Sequence, residues 1–306
     1  MTRDLLGYLI QYTALRFCWR KEKDGDIRLC IDYRAHYVIT RRDSYPLSSI
    51  DALLDDLQGA QYFSKVNLRS GYHEVRVREE DIHETALTTH MGSFEWCVLS
   101  MGLTNAPTTF QRSKQSVLGS FSTFCRIYLD DIIIFSITRE QHKQHLQQFL
   151  EALRKHQLKL YPRKCVFAVQ QVDFLGHCIS PGKIMMEEDI VGVVQQWPVP
   201  TTKKEMQSFL GSTNFYRNFI HNYAHIASLL SDALHNNAPP SLWQQLPKAV
   251  LEAFNRTTEA MAAATALQIM DATRQSVIYT EASDVIMGAT VILRFLIVVT
   301  SRVSER

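Results

Sequence analysis

The sequence predicts an α+β protein of more than one domain. Three observations carry that expectation. Strand-like alternation and helix-like spacing are interleaved along the chain, prolines mark two joints, and an acidic pair sits inside an apolar run, Arg126-Ile127-Tyr128-Leu129-Asp130-Asp131-Ile132-Ile133-Ile134-Phe135. Residues 17–40 alternate apolar and polar around Lys23-Asp24-Gly25-Asp26, a hairpin signal. From Pro46 to Leu57 the apolar positions 47, 50, 53, 54 and 57 predict a helix opened by proline. Residues 62–100 read as further strands, and Pro107 is expected to open a helix through Val117. The acidic run reads as a β-hairpin. Glu140 to Gln157 places Leu146, Phe149, Leu150 and Leu153 on one helical face. Pro198 and Pro200 mark a joint, Thr202 to Leu234 holds two helical stretches, and Ala238-Pro239-Pro240 is a second linker. Val277 to Thr280, Ala289 to Leu293 and Phe295 to Thr300 read as three antiparallel strands.

Hydrophobic residues make up 46% of the 306 positions and charged residues 21%, enough for a sizeable core and an intracellular globular protein. No run of about 18 apolar residues points to a membrane. The six cysteines are scattered without metal-ligand spacing, so reduced thiols are expected. A net charge of +2 is a weak sign of a nucleic-acid partner, but the charge is uneven. Between Arg112 and Lys164 there are ten Lys or Arg against four Asp or Glu. Such an excess suits a phosphate backbone, or equally a solvated helix face.

Adjacent carboxylates among β-branched residues repel each other unless a positive charge neutralises them. A divalent cation with oxygen ligands at Asp130 and Asp131 is the usual solution. An ordinary solvated turn is the alternative.

Five ordered blocks go further. They are Tyr62-Phe63-Ser64-Lys65-Val66-Asn67-Leu68-Arg69-Ser70-Gly71-Tyr72, Gly102-Leu103-Thr104-Asn105-Ala106-Pro107-Thr108-Thr109-Phe110-Gln111, Tyr128 to Asp131, Phe174-Leu175-Gly176-His177, and Phe209-Leu210-Gly211 leading to Asn214-Phe215-Tyr216-Arg217. In order and spacing the chain resembles the reverse transcriptase of Gypsy-type LTR retrotransposons from about residue 17 onward. The resemblance implies a right-hand polymerase, with fingers and palm over residues 1–182, a thumb-like helical region over 183–240, and a partial RNase H-like β segment over 241–306. It implies RNA-directed DNA polymerase activity by nucleotidyl transfer with Mg²⁺ or Mn²⁺. The partners would be a primed RNA or DNA template and deoxynucleoside triphosphates.

The same resemblance assigns residues. Two-metal transfer in the family uses three aspartates; here Asp130 and Asp131 match two, while the third position is Asn67. An amide brings no charge and one ligating oxygen. Glu74, seven residues on and expected on a separate stretch of strand, does not look suited to replace it. Lys164 matches a lysine that protonates pyrophosphate. Arg28 matches an arginine gripping the triphosphate, although Glu22 stands where a lysine is common. Tyr72 matches the aromatic that screens the sugar 2′ position. Gly102 and Pro107 match the loop shaping the nucleotide pocket, with Met101 where Phe is usual. Phe174, Leu175, Gly176 and His177 match the primer grip. Glu281, in Tyr279-Thr280-Glu281-Ala282-Ser283, stands where the family's RNase H domain has an aspartate. Because the chain stops at Arg306, before the family's other RNase H carboxylates, RNA cleavage is not expected and the chain reads as a partial, degenerate copy. Two function classes follow: a polymerase impaired by Asn67, or a non-catalytic nucleic-acid-binding remnant.

Overall fold

In the computed structural model the described residues are 17–21, 27–69, 71–220, 222–235, 243, 246–263, 266–269, 276–282 and 287–293. Their contacts form two units, Met1–Leu53 with Ala60–Val172, and Leu54–Gly59 with Asp173–Arg306.

In the first unit, β1 (Phe17–Lys21) and β2 (Ile27–Ile31) pair antiparallel from Phe17↔Ile31 to Lys21↔Ile27. The turn expected at residues 23–26 lies outside the described residues. The alternation does not run on to residue 40, because Arg34–Tyr37 forms a short helix, α1. The helix expected from Pro46 is shorter than its apolar spacing suggests: α2 covers only Ile50–Asp55. Ser49, not Pro46, starts it, its Oγ accepting from the Ala52 N–H at 3.2 Å.

The centre of this unit is a four-stranded antiparallel sheet in the order β6 (Cys125–Tyr128), β7 (Asp131–Ser136), β3 (Tyr62–Asn67), β8 (Val166–Val169). Ile132, Ile133 and Ile134 are fully buried. Each such side chain contributes roughly 1.5–3 kcal/mol relative to exposure. Between β3 and the short hairpin of β4 (Leu87–Thr89) and β5 (Gly92–Phe94), residues 71–74 and 79–85 form 3₁₀ turns. Tyr72 and Glu74 are therefore on a tight helical turn and not on a strand. The 62–100 stretch has too few paired alternating residues to extend the sheet.

Helix α3 (Ala106–Leu118) opens with Pro107 in its first turn, as the spacing predicts, and α4 (Arg139–Lys155) follows the acidic hairpin. Thr138 and Gln141 form a reciprocal capping box that fixes where α4 begins. Phe149 and Leu153 of α4 join Phe110, Leu118, Val66, Ile127, Ile132 and Ile134 in one core. Leu150 is 42% exposed, contrary to the expected face. His142 is buried along the stripe 142, 146, 149 and 153, which turns Leu150 outward.

The second unit holds a sheet ordered β12 (Leu267–Gln268), β11 (Lys183–Met186), β10 (His177–Ser180), β9 (Val172–Phe174). Its helices are α5 (Glu188–Gln195), α6 (Lys203–Phe215), α7 (Tyr223–His235) and α8 (Lys248–Ala262). Pro198 and Pro200 fall between α5 and α6, and α6 and α7 are the two helical stretches expected after them. Met206, Phe209, Leu230, Val250 and Phe254 form a core within this unit. Strands β13 (Ser276–Ala282) and β14 (Met287–Leu293) pair antiparallel. The expected third strand at 295–300 and the linker at 238–240 lie outside the described residues.

Candidate active site

The register of β3 against β7 places Asn67 opposite Asp131. The Asn67 Nδ2 donates to Asp131 Oδ1 at 3.3 Å, and Lys65 Nζ lies 3.9 Å from the same oxygen. Facing a carboxylate, the amide presents its N–H₂ end, because the carboxylate can only accept. The Asp131 side chain keeps 32% of its surface, so the acidic pair sits at the rim of the sheet while the isoleucines after it are buried.

The turn joining β6 and β7 is Leu129-Asp130, with Tyr128 paired to Asp131. Leu129 has φ 48°, a left-handed conformation that a branched, bulky residue rarely adopts. Gln111 of α3 clamps this turn. Its Oε1 accepts from the Leu129 N–H at 2.9 Å, and its Nε2 donates to the Ile127 carbonyl at 3.0 Å. Gly71 comes close to Asp130. A Cβ at Gly71 would lie 2.8 Å from Asp130 Oδ1 and 2.4 Å from Phe110 Cζ. Only glycine admits that approach. The next residue, Tyr72, stacks on Phe110 with ring centroids 4.7 Å apart.

Lys114 of α3 is 2% exposed. Its Nζ has no hydrogen-bond partner and rests 3.8 Å from the centroid of the Phe110 ring. Burial pushes the ammonium down to about 8, against the opposing pull of Asp130, Asp131 and Glu74. Burial also raises the Glu74 carboxyl above its ordinary value, opposed by the Lys159 N–H and by the charges of Lys159 and Lys114. The Lys159 N–H donates to Glu74 Oε1 at 2.8 Å. Glu74 thus faces the cluster electrostatically, which its expected place on a separate strand did not suggest.

The other residues singled out from sequence are distributed as follows. Lys164 ends a 3₁₀ turn (Pro162–Lys164), exposed, with its Nζ 5.3 Å from the Tyr161 ring centroid. That turn is tied to the site through the Tyr161 N–H, which donates to the Asn67 carbonyl at 2.8 Å. Gly102 has φ 101°, and a Cβ there would meet the Ile31 carbonyl at 3.0 Å, so the loop sits against the end of β2. Arg28 lies on β2 opposite Arg20, with its side chain outside the described residues. In the second unit, Phe174, Leu175, Gly176 and His177 form a tight hairpin whose two turn residues, Leu175 and Gly176, have φ 50° and 79°. The Tyr216 hydroxyl donates to the Gly176 carbonyl at 2.9 Å, and His177 stacks on Phe219. Glu281 lies on β13 opposite Gly288, its side chain outside the described residues.

Sequence reasoning missed Gln111, Lys114 and the proximity of Glu74. A signal existed for Lys114: Phe110, Lys114 and Leu118 follow at four-residue intervals, which puts a lysine on the apolar stripe of α3.

The profile of the family described as reverse transcriptase (RNA-dependent DNA polymerase) matches residues 20–179, just over half of the chain. The chain belongs to the reverse transcriptase family. It is 36% identical over 263 residues to the retrovirus-related Pol polyprotein from transposon 297 of Drosophila melanogaster, covering 86% of this chain and 25% of that protein. It is 31% identical over 287 residues to the transposon Tf2-3 polyprotein of Schizosaccharomyces pombe, covering 92% and 21%. The chain therefore spans about a quarter of the length of these relatives. Together they place it as a retrotransposon reverse transcriptase fragment, as the five blocks imply. The foamy viral protease-reverse transcriptase in complex with double-stranded DNA shares its fold, with TM-score 0.79 at 24% identity, over 89% of this chain and 47% of that one. The same viral enzyme with an RNA/DNA hybrid gives 0.76 at 22%, over 89% and 36%. The α+β fold is that of the right-hand polymerases. No helix among the described residues is long and apolar enough to cross a membrane.

Reverse transcriptases generally use divalent metal ions, and the donor set can be tested against that. Asp130 and Asp131 offer the hard carboxylate oxygens that Mg²⁺ takes. Among the described residues no group of three His, Cys, Asp or Glu could hold a metal. The two carboxylates are thus a donor set that would need further ligands, from solvent or substrate, to complete the coordination of a divalent ion.

Proposed function

We propose that the chain is the polymerase part of a retrotransposon reverse transcriptase, acting on a primed RNA or DNA template with deoxynucleoside triphosphates, and that its nucleotidyl transfer is impaired by Asn67. The observation that carries this reading is the Asn67 amide donating to Asp131 where a third carboxylate would have added charge. Two-metal transfer needs ions that activate the primer hydroxyl and stabilise the leaving pyrophosphate. Asp130 and Asp131 would hold one Mg²⁺ or Mn²⁺ arriving with the nucleotide, and that ion would supply Lewis-acid stabilisation of phosphate charge.

The chain's own groups then have these roles. Arg28 binds the triphosphate and Lys164 donates a proton to the departing pyrophosphate. Tyr72, held against Phe110, screens the sugar, and the Gly102–Pro107 loop shapes the pocket beside it. Phe174 to His177 hold the primer end. Residues 1–182 act as fingers and palm, 183–240 as thumb, and 241–306 as an RNase H-like segment in which Glu281 stands where the family has an aspartate. The basic excess from Arg112 to Lys164 supports backbone binding with little base preference. The DNA and RNA/DNA hybrid bound by the foamy viral enzyme support the same class of partner.

The test is primer extension with Mg²⁺ or Mn²⁺. Wild type should extend weakly or not at all, and Asn67→Asp should be faster by at least about tenfold, the low end of ligand-environment effects. Robust wild-type extension, unchanged on Asn67→Asp, would overturn the impairment. Duplex binding that weakens steeply with salt, without extension by either protein, would favour the non-catalytic remnant.

A further inference from the structure

Lys114 is the one lysine or arginine buried among the described residues. Three facts set its surroundings. It projects from the apolar stripe of α3, its Nζ makes no hydrogen bond and lies over the Phe110 ring, and that ring and Asp130 Oδ1 both close on Gly71, with the charges of Asp130, Asp131 and Glu74 opposing the desolvation of the ammonium. An ammonium placed in an apolar core costs several kcal/mol unless opposite charge compensates it. Here the compensation comes from the carboxylates that would hold a metal. A partner of Glu74 is equally missing on one side: Oε2 is buried without a hydrogen bond while Oε1 is taken by Lys159.

We propose that Lys114 is a built-in counter-cation for Asp130, Asp131 and Glu74, which balances the acidic cluster from within and weakens its hold on a divalent ion. This rests on the reading of Asp130 and Asp131 as the metal carboxylates. It adds a second cause of impairment, independent of Asn67. While Lys114 is protonated, an arriving ion meets a cluster whose negative charge is already partly balanced, and it is repelled by a nearby positive charge in a poorly screened site. The same lysine frees the fold from needing an ion, because the carboxylate repulsion at the turn is relieved without one.

Two measurements test it, neither of them activity. The first is Mn²⁺ binding followed by electron paramagnetic resonance, on the full chain and on Lys114→Met. Lys114→Met should bind Mn²⁺ at least about tenfold more tightly, a difference of about 1.4 kcal/mol, and Asp130→Asn in that background should abolish the gain. Equal affinities, with binding still lost on Asp130→Asn, would overturn the counter-cation and leave the polymerase reading intact. No Asp130-dependent binding in Lys114→Met or in Lys114→Met with Asn67→Asp would overturn the metal-site reading itself.

The second measurement needs no change at Lys114. In EDTA, Asp130→Asn should lower the thermal midpoint of the chain, because it strips compensation from a buried ammonium. A rise in the midpoint would show that the carboxylates repel each other uncompensated and that Lys114 does not balance them.

Discussion

The two ends of β3 handle polar groups in opposite ways. Near its start, Ser64 is fully buried and its Oγ meets His142 Nε2 at 2.7 Å while accepting from the Ala168 N–H at 2.8 Å. The other nitrogen, His142 Nδ1, meets Ser136 Oγ at 2.9 Å, and Ser136 Oγ in turn meets His145 Nδ1 at 2.8 Å. Either tautomer of His142 completes that chain of neutral partners. At the far end, Asn67 and Asp131 share one long hydrogen bond, and the buried ammonium of Lys114, on which the charge of Asp131 acts, has none. The neutral end is finished as it stands, so it rigidifies the sheet. The charged end has unused capacity, which is what a site for a charged ligand requires. The two can be separated by experiment.

The largest effect is expected at Gly71. Its α-hydrogen faces Phe110, 1% exposed, and Asp130, and an added methyl would overlap Phe110 Cζ at 2.4 Å. Phe110 is locked in the core and Tyr72 stacks on it, so neither ring can yield cheaply. Gly71→Ala should cost about 2–3 kcal/mol, as overpacking typically does, and should shift the acidic turn. Chemical denaturation measures the loss. A cost below about 0.5 kcal/mol would show that the charged end is loosely packed and that its geometry tolerates change.

The next effect concerns pH and belongs to the neutral end. Burial, and secondarily the charge of His145, lowers His142 from the ordinary 6.5 to about 4. Between those values the unfolded chain takes up a proton that the folded chain refuses. The stability that His142 contributes is therefore complete above about pH 6.5 and is lost progressively as pH falls toward 4. With about 1.36 kcal/mol per unit and some relaxation around the ring, the loss should be roughly 1–3 kcal/mol. Denaturation midpoints across this window, compared with His142→Leu, measure it. A wild-type slope no steeper than that of the variant would remove His142 from the account.

Much of this arrangement was legible in the sequence, and the physical reason differs by element. The acidic hairpin and α4 were readable because their patterns are local, alternation in one case and helical spacing in the other. The five blocks located Asn67 and Asp131 on segments that the register of β3 and β7 then joins. Tyr72 and Glu74 were misplaced on strands because a 3₁₀ turn of four residues has no periodicity to detect. Gln111 was quoted within a block without a role, since its two hydrogen bonds reach across sixteen to eighteen residues to the turn. Lys114 was counted only as part of a basic stretch. Its burial depends on where α3 meets the hairpin, although its four-residue spacing from Phe110 and Leu118 marked it as out of place on a polar face.

The smallest effect returns to the charged end. Leu129 sits at φ 48° in the two-residue turn, held there by the Gln111 clamp. Left-handed backbone costs a residue with a Cβ about 1–2 kcal/mol, while glycine gives back about 0.5–1 kcal/mol through the greater freedom of its unfolded chain. Leu129→Gly should therefore stabilise the protein by roughly 0.5 kcal/mol. The equivalent change at Ile132, which is fully buried and extended, should instead cost several kcal/mol. Denaturant midpoints of the two variants side by side decide it. A loss above about 1 kcal/mol at Leu129 would mean that its side-chain contacts set the turn. Backbone strain would then be no part of what distinguishes the acidic end of β3 from the neutral one.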